Sequence, residues 1–270
     1  MKYFAGKVIL ITGAASGFGR ALAHTLAANN AIIIVTDINK TDCQHVVNDI
    51  EKSAGIAQAY SLDVTQITQF EQVIEQVINQ YTQLDIIINN AGIAVSGEFK
   101  DIDANTWRSI TDINFLGMVY GSQAAYTHMR KQGFGQIVNV ASMYGLVSSP
   151  MVSAYVATKH AVTGFSQSLR DEALTYGVKV NVICPGFIAT NLFKHGTFKG
   201  LNTEQTLSLL PFSMMNANVA AQKALTGMAS NKAIIIFPHY IKLYWWLARI
   251  SPNLLKPLHR IFLNRYRKKA

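Results

Sequence analysis

Acidic residues stop at Glu204: from Gln205 to Ala270 the chain has no Asp or Glu. The same stretch holds ten Lys and Arg residues, so it contributes +10 and the rest of the chain −1 to the net charge of +9. An asymmetry of this kind concerns a surface or a partner, not the fold. Cysteine is almost missing as well. Cys43 and Cys184 cannot build a disulfide framework, and neither stands in a Cys-x-x-Cys pair or a Cys/His cluster. No metal site is therefore expected, and two reduced thiols in a cytoplasmic protein are. No repeat of solenoid length and no low-complexity tract is present. Residues 1–7 run straight into an apolar strand without a cleavage-like site, so a secretory leader is not expected. The most apolar stretch, 233–250, includes Pro238, His239, Lys242 and Arg249, and a spanning helix needs about 20 largely apolar residues. No nucleic-acid-binding motif is found.

What is present is a regular alternation. Short apolar, β-branched runs at 7–11, 31–35, 57–62, 84–88, 136–140, 179–183 and 233–237 read as strands covered on both faces. Helical periodicity separates them; Phe70, Val73, Ile74, Val77, Ile78 and Tyr81, for instance, line one helix face. The alternation predicts an α/β protein: a Rossmann-like, doubly wound parallel sheet of about seven strands with helices on both faces. Its ligand crevice would lie at the carboxyl ends of the strands. We expect one catalytic domain over 1–239, with a lid at about 187–215, followed by a basic, aromatic C-terminal extension over 240–270.

The first strand runs into Thr12-Gly13-Ala14-Ala15-Ser16-Gly17-Phe18-Gly19, followed by a helix over 20–28. Glycines allow a tight turn and close backbone approach, and a helix N-terminus offers free N–H groups to a pyrophosphate. The second strand ends at Asp37, about 20 residues past the glycines, where a carboxylate can accept from ribose hydroxyls and would repel a 2′-phosphate. With no Lys or Arg nearer than Lys40, NAD is expected over NADP. Asp37 could also serve merely as a helix cap. Asp63-Val64 follows the third strand. The fourth ends in Asn89-Asn90-Ala91-Gly92, whose small residues let a flat ring approach the backbone.

With Asn114, Ser142, Tyr155-xxx-Lys159 and Pro185-Gly186 in order behind these motifs, the chain resembles the short-chain dehydrogenase/reductase family, in its shorter, single-domain branch, from Gly6 to about Thr190. Each motif is common alone; the ordered set is specific. The resemblance implies that Gly13, Ser16, Gly17, Phe18 and Gly19 line the pyrophosphate and that Asp37 selects the ribose. It puts Asp63 and Val64 at the adenine, and Asn90, with Ala91 and Gly92, beside the nicotinamide-side ribose. Ile188 and Thr190, beyond Pro185 and Gly186, would hold the carboxamide. A homodimer or homotetramer is also implied.

Tyr155 and Lys159 are i and i+4 on one helix face. A free tyrosine, with a pKa of about 10, is a poor base near neutrality, and an adjacent ammonium with the positive nicotinamide should lower it. Tyr155 would then exchange a proton with the alcohol. Ser142 would hydrogen-bond the substrate oxygen, Lys159 would also hold ribose hydroxyls, and Asn114, by resemblance, would position a water linking Lys159 to solvent. The expected reaction is NAD-dependent interconversion of an alcohol with its ketone or aldehyde.

Between Phe187 and Met215 the side chains Leu192, Phe193, Phe198, Leu201, Leu207, Leu209, Leu210, Phe212 and Met214 make an apolar lid with Glu204 its only carboxylate. This suggests a steroid, retinoid, terpenoid or long-chain substrate, though core packing explains the same pattern. In the extension, Pro252 and Pro257 should interrupt any long helix, and Leu258, Ile261 and Phe262 can share a face. Aromatics with basic residues and no acids suit peripheral contact with anionic lipid at the cytoplasmic membrane face; packing on a second subunit, covering the active site and, weakest without a motif, binding nucleic acid are the other readings. Two alternatives to the alcohol reaction stay open: reduction of a thioester-linked acyl group, and a catalytically silent binding protein. The second is opposed by the retention of Tyr155, Lys159 and the glycines.

Overall fold

A computed structural model describes residues 1–190, 192, 196–200, 204–205 and 213–267. The first seven runs of apolar residues form one parallel sheet: β1 (Val8–Thr12), β2 (Ile32–Asp37), β3 (Ile56–Ser61), β4 (Ile86–Asn89), β6 (Gly135–Val140), β7 (Val178–Pro185) and β9 (Ile234–Phe237). Their spatial order is β3-β2-β1-β4-β6-β7-β9. The order reverses direction between β1 and β4, which opens a crevice at their carboxyl ends. A second, two-stranded sheet pairs β5 (Val95–Ser96) with β8 (Thr197–Phe198). Dipeptide strands carry no apolar run of their own, and the sequence pattern did not reveal them.

Helices cover both faces. On one side α1 (Gly17–Ala27), α2 (Lys40–Lys52) and α7 (Ala217–Ala229) bury Leu22, Leu26, Val46, Ile50 and Leu225 against Ile9, Ile11 and Ile33. On the other, α3 (Ile67–Tyr81), α5 (Gly117–Gln132) and α6 (Ser153–Ala173) close over Leu10, Ile34 and Ile87 through residues such as Phe70, Ile74 and Met129. Side chains of this kind, fully removed from water on both sheet faces, each contribute roughly 1.5–3 kcal/mol before chain entropy is set against them. The periodic stripe Phe70, Val73, Ile74, Val77 is the buried face of α3, as expected.

α4 (Ala104–Thr111), capped by Asp103 accepting from the Thr106 N–H at 2.8 Å, passes into a π-helical stretch, Asp112–Leu116, before α5 begins. The extension folds into α8 (Tyr240–Ile250), a 3₁₀ turn at Pro252–Leu255 and α9 (Lys256–Arg267). Pro252 does break the helix. Pro257 does not, because it lies in the first turn of α9, where no intrahelical N–H partner is required. No helix among the described residues is long and apolar enough to cross a membrane.

Candidate active site

Gly13 turns the chain at φ +62° directly after β1. A Cβ there would stand 2.8 Å from Ala91 Cα, and one on Gly19 would stand 2.2 Å from the Gly13 carbonyl oxygen and 2.5 Å from Asn90 Nδ2. The turn therefore closes onto the end of β4 with no room for side chains. Asn90 fastens it: Nδ2 donates to the carbonyls of Thr12 (2.9 Å) and Gly13 (3.1 Å). The N–H groups of Asn90 and Ala91 both donate to Thr12 Oγ1 at 3.0 Å. This clamping role of the Asn90 amide was not foreseen. Ser16 is the N-cap of α1 and makes no side-chain capping bond, which suits a helix start that faces an anion. The Phe18 side chain is buried in the core, so its backbone alone can face a pyrophosphate. Gly17 lies against Thr190, whose Cβ would be 3.1 Å from an added methyl; the segment after β7 thus reaches the glycine turn.

Asp37 ends β2. Its Oδ2 accepts from the Ala15 N–H and its Oδ1 from the Asn39 N–H, both at 3.3 Å. The cap of α2 is Asn39 and not Asp37, and no ion pair among the described residues engages Asp37. The carboxylate is therefore held by backbone at the rim of the glycine turn. Asp63 Oδ1 accepts from Thr65 N (3.0 Å) and Thr65 Oγ1 (2.8 Å), fixing the turn into α3. Val64 packs close to Gly117 at the start of α5.

Around the carboxyl end of β6 four expected residues converge. Ser142 caps the turn Met143–Gly145, its Oγ accepting from the Tyr144 N–H at 3.2 Å, and it lies close enough to the Tyr155 phenol to favour its ionised form. Lys159 is buried; its Nζ donates to the Val140 carbonyl at 2.9 Å and lies 5.6 Å from the Tyr155 ring centroid. Asn114 stands in the π-helical stretch, 1% exposed. Its Oδ1 accepts from Ile93 N at 2.8 Å and its Nδ2 donates to Ile93 O at 2.9 Å. A Cβ on Gly92 would stand 3.1 Å from Asn114 Oδ1 and 3.6 Å from Lys159 Nζ, so these three residues share one small space. Asn114 Nδ2 also donates to Thr158 Oγ1 at 3.4 Å, so the side chain ties the end of β4 to α6.

The protein's own groups act on Tyr155 in both directions. Burial raises its phenol to about 12, the Ser142 hydrogen bond works against that, and Tyr144 adds to it. Burial also lowers Lys159 to about 8. Desolvation is the largest cause for both groups, because both are buried beneath the loop after β6.

Pro185 ends β7, and Gly186 donates to Phe237 O at 2.8 Å. Ile188 pairs with Met215 as a bridge, and Thr190 Oγ1 accepts from Leu192 N at 3.4 Å. Of the apolar lid, Phe193, Leu201, Leu207, Leu209, Leu210 and Phe212 lie outside the described residues. Aromatic rings stack edge to face beside Tyr155: Tyr144 at 6.3 Å from Tyr155, and Phe187 at 6.1 Å from Tyr144. The extension packs onto the same loop. Ile241, Leu255, Tyr244 and Trp245 join Met143, Val147 and Phe187 in one cluster, and Tyr266 joins Met151. Tyr266 Oη donates to Lys199 O at 2.6 Å, and Arg267 pairs with Glu98 at 3.1 Å. Leu258 and Ile261 are exposed while Phe262 packs inward, so the face proposed for these three residues is divided. Of the readings left open for the tail, packing beside the active site is the one these contacts favour; its partners come from distant elements and carry no sequence signal.

Residues 7–198 match the short chain dehydrogenase family profile. The 3-oxoacyl-acyl-carrier-protein reductase FabG of Thermotoga maritima is 32% identical over 228 residues, 84% of this chain and 92% of the relative. Epidermal retinol dehydrogenase 2 of Mus musculus is 30% identical over 256 residues, covering 93% and 80%. A short-chain dehydrogenase/reductase of Burkholderia phymatum, solved in complex with NAD, is alike in fold, with a TM-score of 0.87 at 24% identity over 94% of this chain and 96% of the other. A complete glycine turn, a Ser, Tyr and Lys gathered beside it, and relatives of this kind over nearly the whole chain lead to one conclusion: the protein belongs to the short-chain dehydrogenase/reductase family and is an NAD(P)-binding oxidoreductase.

Proposed function

We propose that the protein interconverts an apolar alcohol with its ketone or aldehyde, using NAD. The observation that carries the reading is the gathering of Tyr155, Ser142 and Lys159 beside the glycine turn, with Lys159 Nζ 5.6 Å from the Tyr155 ring centroid. The residues fit a dinucleotide: a turn that a Cβ at Gly13 or Gly19 would fill, a helix start for the pyrophosphate, and the Asp37 carboxylate at the rim. Gly13, Ser16, Gly17, Gly19 and the Phe18 backbone would hold the pyrophosphate, and Asp37 the adenosine ribose. Asp63 and Val64 would border the adenine, Asn90, Ala91 and Gly92 the other ribose, and Pro185, Gly186, Ile188 and Thr190 the carboxamide. When bound, the nicotinamide supplies the hydride exchange with the carbinol carbon. Ser142 would orient the substrate oxygen, and Tyr155 would carry its proton. Lys159, with Nζ donors beyond the one given to Val140, would hold ribose hydroxyls and pass the proton on toward Asn114.

Asp37, with no cation beside it, supports NAD: a 2′-phosphate there would meet like charge. The apolar substrate class is supported by the apolar neighbours of Tyr155: Tyr144, with Phe187 behind it, and the cluster of Ile93, Val95 and Trp107. A second reading, reduction of a thioester-linked 3-oxoacyl group, is favoured by the likeness to the Thermotoga reductase. The family resemblance supports a homodimer or homotetramer.

The test is reduction of NAD and of NADP with a panel of hydrophobic alcohols, and oxidation of NADH and of NADPH with acetoacetyl-coenzyme A. Tyr155→Phe should lower kcat on the preferred substrate by about 10²-fold or more. Unchanged activity in that variant would remove Tyr155 from the chemistry, and preference for the thioester would select the second reading.

A further inference from the structure

The extension has two faces. Inward, α8 and α9 both pack on residues 143–151, the loop between Ser142 and Tyr155: Ile241 and Leu255 are buried against Met143 and Val147, and Tyr266 against Met151. Both outer faces therefore turn away from the same loop. Six of the fifteen large hydrophobic residues exposed among the described residues lie there: Leu243, Trp246, Ile250, Leu254, Leu258 and Ile261. Leu243, Trp246 and Ile250 follow the i, i+3, i+7 spacing of one helical stripe. Trp246 is 59% exposed and Leu243 61%, which is unusual for a face that meets only water.

Exposed cations stand on the same two helices. Lys242, Arg249, Lys256, Arg260 and Arg265 are exposed, and no ion pair among the described residues engages them. Arg249 lies over the Trp245 ring at 5.2 Å. No acidic residue follows Glu204 to offset them. An apolar stripe with a basic flank and no carboxylate is complementary to an anionic lipid surface: the side chains enter the acyl boundary and the cations meet the headgroups. A second copy of this chain would bring the same cations against each other, so charge favours the membrane over self-association.

We infer that residues 240–267 are a two-faced cover, whose outer face seats the enzyme on an anionic membrane while its inner face walls the substrate site. The inner wall follows from the contact chain Tyr155–Tyr144–Phe187, which continues into the cluster holding Ile241, Tyr244 and Trp245. An apolar alcohol would then pass between lipid and the Tyr155 site along the protein. The seating stands on the exposed face alone; the passage rests on the apolar-substrate reading of the preceding section.

The experiment uses the full chain with vesicles of phosphatidylcholine alone and of phosphatidylcholine with phosphatidylserine, in a flotation assay at low and high salt. Wild type should float with the anionic vesicles and be released by salt. Arg249→Glu with Arg260→Glu should weaken flotation by about tenfold or more, and Trp246→Ser with Ile250→Ser should abolish it. All four positions are exposed, so the fold should persist, and unaltered NAD binding checks this. Failure of wild type to float on either vesicle, or equal flotation of the variants, overturns the seating. So does a wild-type dimer that the Trp246/Ile250 variant dissolves without any lipid binding, which would assign the face to a second copy. If flotation holds but vesicles leave the KM for a hydrophobic alcohol unchanged, only the passage fails.

Discussion

The Lys159 ammonium lies 5.6 Å from the centroid of the Tyr155 ring and gives a hydrogen bond to the Val140 carbonyl at 2.9 Å. Burial governs both groups. The Lys159 pKa falls to about 8 and that of Tyr155 rises to about 12. Each shift makes stability depend on pH, with opposite sign.

For Lys159 the unfolded value is 10.5 and the folded value about 8. Between them the unfolded chain keeps a proton that the folded chain has lost, so stability rises as pH rises from about 8 to 10.5. For Tyr155 the folded chain keeps its proton between 10 and about 12, so stability falls across that window. Lys159→Met should therefore gain stability relative to wild type at pH 7, and that advantage should shrink above pH 8, by up to about 3 kcal/mol. Loss of the Val140 hydrogen bond offsets the absolute value, so the slope is the observable. Urea denaturation at a series of pH values measures it, and parallel curves for the two proteins would contradict the buried-ammonium account.

Gly19→Ala places a methyl 2.2 Å from the Gly13 carbonyl oxygen. Backbone must move to relieve it, at a cost of about 1–3 kcal/mol, and the moved atoms belong to the glycine turn. Thermal unfolding should report the loss, and calorimetric titration should show NAD affinity down at least about tenfold. Intact affinity would mean the cofactor does not use this turn.

Asp37→Ser removes the carboxylate held by Ala15 and Asn39. The ratio of kcat/KM for NADP over NAD should rise by at least about tenfold, because the like-charge penalty is worth several kcal/mol. Steady-state kinetics with both cofactors decides it; an unchanged ratio would return Asp37 to a structural role.

Much of this site could be read before any coordinates, because it hangs on strand ends. Buried parallel strands announce themselves as apolar runs: the 31–35 run became Ile32–Asp37, and that boundary put Asp37 on the crevice. The Tyr155 and Lys159 pair needed only the helix period, and both lie in Ser153–Ala173. What could not be read depends on distant partners. The acceptor of Lys159 is a backbone carbonyl on β6, and the nearest partners of Asn114 are the N–H and C=O of Ile93, neither of which carries a sequence signature. The direction of the Tyr155 shift followed from burial, which composition does not give. Phe262 went to the wrong face because α9 is oriented by Tyr266 and Met151 and not by its own apolar spacing.

Asn114→Ala leaves the Ile93 N–H and C=O without their partners. Unpaired buried groups cost about 1–3 kcal/mol each, and Ile93 is only partly buried, so a loss of about 1–3 kcal/mol is expected by chemical denaturation. A loss below about 1 kcal/mol would show that the Ile93 groups find other partners, and that the geometry around Gly92 and Lys159 does not depend on Asn114.

Tyr266 tests how firmly the tail is tied. Its hydroxyl donates to Lys199 O at 2.6 Å, and its ring, 3% exposed, packs with Met151 and closes on Gly200. Tyr266→Phe removes the hydrogen bond and should cost about 1 kcal/mol. Tyr266→Ala also empties the ring's site, which for large aromatic truncations costs about 3–5 kcal/mol. The Arg267–Glu98 pair is exposed and adds little, so the ring is the main anchor of the last turn of α9. Hydrogen exchange should therefore stay near wild type in the Phe variant. In the Ala variant it should quicken in α9 and in residues 143–151 together, while β1 and β4 keep their protection. Quickening confined to α9 would mean that the loop beside Tyr155 holds its shape without the tail.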